Sequence, residues 1–180
     1  FSEVFWGCYE FGVVYKNVRS LKKYLDDIIS DKWYSNADIF IFAETNTIAS
    51  DVIEIPGYTL VVRTDETANI REHRGVMCFS KLGTEISDIQ HIRTYEKDGT
   101  NEYVGHVDLV YFKVKSVNVV TGNRSPRASS KLFADTLEKF AGYLNGDYSV
   151  LIGDFKYDVY NNQPTAMGKL KENIKFKSAL

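Results

Sequence analysis

Asp38-Ile39-Phe40-Ile41-Phe42-Ala43-Glu44 and Ser149-Val150-Leu151-Ile152-Gly153-Asp154 decide how this chain is read. Each is a short, nearly continuous apolar run that ends in a carboxylate. A run of this kind, without the 3.6-residue period of a helix, fits a strand buried on both faces of a covered sheet. In α/β folds the carboxyl ends of such strands are where loops diverge and where ligands meet the protein. Glu44 and Asp154 are therefore candidates for a metal or phosphate site, because Mg²⁺ takes one or two carboxylates and keeps waters for its substrate. The competing reading is that each acid only caps the turn that follows it.

Working outward from the first run, Leu21, Tyr24, Leu25, Ile28 and Ile29 fall on one helical stripe, which predicts a helix from an N-cap at Ser20 to about Trp33. The aromatic and β-branched segment Val4–Tyr15 predicts one or two strands before it. After the Pro56-Gly57 turn signal come strand candidates at 58–63 and 75–80, separated by a polar stretch. Loose alternation at 85–95 and period-two writing at 105–120 predict two or three further strands, paired antiparallel. Leu132, Phe133, Leu137, Phe140, Ala141 and Leu144 then form a second helical stripe, closed by Asn145-Gly146. The segment 157–163 reads as a polar loop. With neither repeat nor linker, the pattern predicts one α/β (α+β) domain spanning 1–180, with mixed sheets.

Composition narrows the function classes. The chain has 180 residues, 44% of them hydrophobic, with 3 prolines and 12 glycines, which excludes collagen-like, low-complexity and disordered chains. A formal charge of −2 provides no global positive field, so any contact with nucleic acid must be local. The five lysines of residues 156–180, Lys156 included, read most simply as a solvated tail. Cys8 and Cys78 support neither a disulfide framework nor a zinc site, which favours a reduced, intracellular setting with the compartment itself unknown. No apolar run reaches the ~18 residues of a membrane span, so no membrane partner is expected. A chain opening on Phe1 is expected to have been processed, excised, or to lack its true start. Asn123-Arg124-Ser125 is a glycosylation sequon, but Pro126 follows it and a plain turn is the simpler reading. Arg124, beside that turn, is a candidate phosphate contact, although exposed arginines are more often just solvated. The 12 Tyr, 11 Phe and 2 Trp are expected mainly in the core rather than stacking on bases.

Taken in order, Tyr15-Lys-Asn-Val-Arg-Ser-Leu21, Asp38-Ile-Phe-Ile-Phe-Ala-Glu-Thr45, Pro56-Gly57-Tyr58, Arg74-Gly75-Val76-Met77, Asn118-Val119 and Gly153-Asp-Phe-Lys-Tyr-Asp158 carry a resemblance over residues 9–160. The chain resembles the endonuclease/exonuclease/phosphatase superfamily, and within it the endonuclease domains of non-LTR retrotransposons. The resemblance implies a DNase I-like α/β sandwich that hydrolyses phosphodiesters of nucleic acid with Mg²⁺. It implies further that Asn17 and Glu44 hold the metal, and that Asp154 orients or deprotonates the attacking water.

Several positions depart from the family's pattern. Lys156 stands where the family has the Asn of its Gly-Asp-Phe-Asn segment, and offers a point charge to phosphate with no acceptor. Val120 replaces a tyrosine, and no Ser-Asp-His follows before Leu180; the histidines are His73, His91 and His106. The sandwich is accordingly expected to be incomplete at its C-terminus. Two functions stay open: a weakened or inactive Mg²⁺-dependent nuclease-like enzyme, and a non-catalytic binding or assembly module that pairs with itself or with a completing protein partner.

Overall fold

The computed structural model describes residues 3–7, 11–31, 36–64, 74–144 and 148–156. Two mixed sheets pack face to face. The first has five strands, β1 (Glu3–Gly7), β2 (Gly12–Asn17), β3 (Ile39–Ala43), β4 (Tyr58–Arg63) and β5 (Val76–Lys81), in the order β1-β2-β3-β5-β4. The second has four, β6 (Ile86–Lys97), β7 (Tyr103–Val114), β8 (Val117–Arg124) and β9 (Ser149–Asp154), in that order. Helix α1 (Leu21–Ser30) links β2 to β3, and α2 (Ser130–Glu138) with α3 (Ala141–Leu144) links β8 to β9. In both crossovers the joined strands run parallel, Val13 to Asn17 beside Ile39 to Ala43 and Asn118 to Asn123 beside Ser149 to Asp154. Parallel neighbours need such a crossover, since a tight hairpin joins only antiparallel ones. The remaining strand pairs are antiparallel.

The apolar runs are buried for the reason their composition implies. All five residues of β3 are buried, and alternate ones serve different layers. Ile39, Ile41 and Ala43, with Val13 and Tyr15, pack against Val110, Phe112, Val119 and Ile152 of the second sheet. Phe40 and Phe42 face α1 with Leu21, Ile28 and Phe79. On the far side, Leu109, Tyr111 and Val120 pack under Phe133, Leu137 and Phe140 of the α2–α3 layer. The order of layers is thus helix, sheet, sheet, helix. The aromatic side chains are chiefly core: Tyr15, Tyr111, Phe40, Phe42, Phe79, Phe112, Phe133 and Phe140 are among the largest fully buried groups.

The expected elements are present, with shifted ends. Helix α1 stops at Ser30, short of Trp33, and Ser20 occupies the N-cap position without a side-chain cap bond. The single helical stripe at 132–144 is broken at Lys139-Phe140, where Phe140 packs against Tyr111. Ser129 caps α2, its hydroxyl accepting from Leu132 N–H at 3.1 Å. Asn123 of the sequon is 1% exposed within β8, so in the folded chain it is not an accessible glycan acceptor. Cys78 is a buried thiol, while Cys8, His73, Asn145-Gly146 and the lysines after Lys156 lie outside the described residues. No helix among the described residues is long and apolar enough to cross a membrane.

Two glycines let β7, β8 and β9 close up. A Cβ on Gly122, whose φ is +155°, would stand inside the Asp108 carbonyl oxygen and 3.0 Å from Leu109 Cα. A Cβ on Gly153 would meet the Phe155 ring and the Gly122 carbonyl oxygen, the latter at 2.6 Å. Because the obstacle at Gly122 is backbone, it cannot rotate away. Gly122→Ala should lower unfolding stability by about 3 kcal/mol or more in urea titrations, the upper part of the range for overpacking, with an unchanged denaturant slope.

Candidate functional site

The interior between the sheets is apolar along most of its length and turns polar at one end. Residues paired across adjacent strands point to the same face. The pairings Arg93↔Asp108, Asp108↔Asn123 and Asn123↔Asp154 therefore line up one polar row across the second sheet. The neighbouring row, His91, Val110, Thr121 and Ile152, is already half apolar. In the first sheet Asn17 continues the inward face of Val13 and Tyr15, and Glu44 follows the last residue of β3. Both sheets thus direct the carboxyl ends of their parallel strands to one place.

There the two carboxylates named from the sequence meet through one amide. Asn17 Nδ2 donates to Glu44 Oε1 at 2.7 Å and to Asp154 Oδ2 at 3.1 Å. Asn17 and Glu44 are each 4% exposed, while Asp154 is half-buried. Asn17 Oδ1 turns the other way and accepts from Arg19 N–H at 3.3 Å. Lys156 reaches back so that its ammonium donates to Asp154 Oδ2. Glu44, Asn17, Asp154 and Lys156 are thus brought together, although 137 positions separate Asn17 from Asp154.

The local backbone is unusual. Arg19, Glu44, Asn46 and Lys156 all have left-handed φ between 50° and 55°. Side chains with a Cβ adopt this region at a cost, and such residues concentrate where surrounding structure dictates their position. Asn46 helps to dictate it here, donating to Arg19 O at 2.5 Å and accepting from Arg74 N–H at 3.0 Å.

Arg124 is not disposed as an open phosphate contact. It is 8% exposed, and its guanidinium donates to the carbonyls of Ala128, Phe155 and Lys156 at 2.6 to 3.2 Å. A rigid fork of donors satisfies several carbonyls at once, so this arginine clamps the segment after β9. Phe155 is held from outside as well, stacked on Phe133 at 4.8 Å. From inside, the Tyr15 hydroxyl accepts the Asp154 N–H at 2.9 Å and donates to Gly122 O at 3.2 Å. Burial pushes the Tyr15 phenol far above its ordinary range, so it stays protonated.

Sequence reasoning passed over a second polar knot in the same row. Asp108, fully buried, accepts from Thr64 Oγ1 at 2.8 Å and from Arg93 Nη2 at 2.6 Å, and lies 2.6 Å from His91 Nε2. Thr64 Oγ1 in turn accepts the Val76 N–H at 2.7 Å. The knot ties the second sheet to the end of β4. His106 is buried beside β8 and is 2% exposed. Among the described residues no three His, Cys, Asp or Glu side chains converge on one point.

Burial alone would raise the Asp108 carboxyl, but the His91 hydrogen bond and the Arg93 charge outweigh it and hold the group below the usual carboxylate range. A carboxyl depressed by folding contributes stability above its unfolded value of about 3.9, and that contribution disappears as pH falls through the lower folded value. Acid titration of unfolding should therefore show a loss below about pH 4 that Asp108→Asn makes smaller. Asp108→Ala, which strands Arg93, should cost about 3–5 kcal/mol.

No protein-family model matches the chain, and neither does any curated protein. Solved structures do. An AP endonuclease from Archaeoglobus fulgidus superposes with a TM-score of 0.55 at 18% identity, over 88% of this chain and 62% of that one. The human Nocturnin catalytic domain with bound sulfate anion gives 0.53 at 11%, over 94% and 72%. ANGEL2, a 2′,3′-cyclic phosphatase, gives 0.53 at 13%, over 89% and 58%. The chain thus spans about three fifths of the archaeal protein's length. At these identities the likeness establishes the architecture, a DNase I-like α/β sandwich with two mixed sheets.

Proposed function

We propose that this chain is the core of a phosphodiesterase acting on nucleic acid, with its reaction centre at Asn17, Glu44 and Asp154. The observation that carries the reading is the single Asn17 amide that bridges Glu44 and Asp154 across the two sheets. The neighbours named above, an endonuclease and a cyclic phosphatase among them, support the same class. On this reading one unit spans residues 1–180, and the short motifs at Pro56-Gly57-Tyr58 and Gly153–Asp158 favour kinship with retrotransposon endonuclease domains.

The donor set suits Mg²⁺. Two carboxylates and an amide oxygen are hard donors, and Mg²⁺ prefers oxygen and needs no more than two carboxylates. The amide N–H that draws both carboxylates together occupies the electropositive position between them. Glu44 and Asn17, after its amide turns over, would hold the metal, which when bound would polarise a phosphoryl oxygen and neutralise developing charge. Asp154 would accept a proton from the attacking water at hydrogen-bond distance. Lys156, the more exposed partner of its ion pair, would swing from Asp154 onto a phosphate oxygen as a point charge. Arg124 would act indirectly by fixing the Phe155 and Lys156 backbone.

A second reading rests on the same ion pair. With the Lys156 ammonium and the Asn17 amide already compensating both acids, the site also fits a binding or assembly module without chemistry, alone or joined to a partner chain. One substitution separates the two. Glu44→Gln should lower Mg²⁺-dependent nicking of plasmid DNA on the order of a hundredfold and abolish the Mg²⁺-induced rise in melting temperature. Nicking and thermal shift that survive the substitution refute the catalytic assignment. DNA retention without nicking in the wild type favours the module.

A further inference from the structure

Tyr15 lies two residues before Asn17 on the same face of β2, and its ring is fully buried among Val13, Ile41, Val119 and Ile152. A phenylalanine would fill that space equally well, and a buried hydroxyl costs free energy unless its hydrogen bonds are made. Both of the bonds described above are made across the sandwich to the second sheet. Asp154 N–H and Gly122 O belong to the paired strand ends of β9 and β8, where Gly122 lies opposite Gly153. One hydroxyl therefore determines where the backbone carrying the Asp154 carboxylate sits relative to Asn17. The other two supports of this segment, the Phe155 stack and the Arg124 clamp, act one and two residues further on.

We propose that Tyr15 is a positioning residue of the site, its hydroxyl holding the Asp154 backbone so that the carboxylate is aimed at the Asn17 amide and at a water between them. The proposal rests on the phosphodiesterase reading for its catalytic consequence and on geometry alone for its structural one, so the two can fail separately. Tyr15 touches neither substrate nor metal; it acts through Asp154. Removing the hydroxyl leaves the apolar contacts of the ring intact while depriving one amide of its acceptor.

Tyr15→Phe is the test, with two readouts on the 180-residue chain. By NMR, hydrogen exchange of the Asp154 amide should quicken about tenfold, the scale set by losing one hydrogen bond, while the amides of Val119 and Val120 in the centre of β8 stay within about twofold. In plasmid nicking with Mg²⁺, kcat should fall ten- to a hundredfold and its acid limb should move, while KM stays within about twofold, since misaiming a base affects chemistry more than binding. Incorporating 3-fluorotyrosine at position 15, which keeps the hydroxyl, should restore both. An unchanged Asp154 exchange rate overturns the proposal, and so does a general rise across β8 and β9 with kcat and KM changing together. Selective Asp154 exchange in a chain whose nicking is indifferent to Glu44→Gln would sustain the positioning geometry and remove the phosphodiesterase reading. If Tyr15→Phe does not fold, the wild-type chain decides by itself: an Asp154 amide protected as well as those of Val119 and Val120 supports the proposal, and rapid exchange there overturns it.

Discussion

A single carboxamide between two acids organises this molecule. Without Asn17, Glu44 and Asp154 would lose the one amide from which both accept at the meeting point of the two sheets. With it, each acid receives a donor, and the ends of β2, β3 and β9 are forced into mutual register. Buried polar groups demand satisfaction, and satisfying these two requires that the sheets align at that end within hydrogen-bond tolerance. The apolar packing of Val13, Ile41, Val110, Phe112 and Val119 drives the sheets together but is indifferent to small slips. The amide is directional, and so are the Tyr15 hydroxyl and the Thr64–Asp108 bond nearby.

The segment after β9 shows how little chain is needed to aim a side chain once several weak restraints agree. Gly153 admits the Phe155 ring where any side chain would block it, the ring stacks on Phe133, and the Arg124 fork grips two successive carbonyls. Each is worth on the order of 1 kcal/mol by ordinary measures. Their value lies in acting from different directions on three consecutive residues.

Much of this was legible in the sequence where a residue's fate depends on its near neighbours. The runs at 39–43 and 150–153 are apolar throughout because both faces are covered, and a carboxylate at the end of each could be flagged without knowledge of the partner. Asn17 was harder: an asparagine ending an aromatic and β-branched strand carries no periodic signal, and only the resemblance singled it out. Asp108 was missed because alternation in β7 reads it as an outward residue, whereas both faces of that strand are buried and its charge is met by Arg93 and His91 from another strand. Arg124 reads as a candidate phosphate contact or a solvated side chain by the same local logic. Its partners, Ala128, Phe155 and Lys156, come together only when β8 and β9 pair. The helix break at Lys139-Phe140 likewise leaves no mark in the stripe, which places Phe140 on the inward face with or without it.

The left-handed residues Arg19, Glu44, Asn46 and Lys156 have an implication for recognition. A rim whose torsions are already confined has little configurational freedom left to surrender when something docks against it, so association there begins with most of the ordering penalty already met by folding. Such a rim also adapts poorly. On the proposed function it would discriminate sharply by shape among ligands of equal charge, where a supple loop would mould itself to all of them.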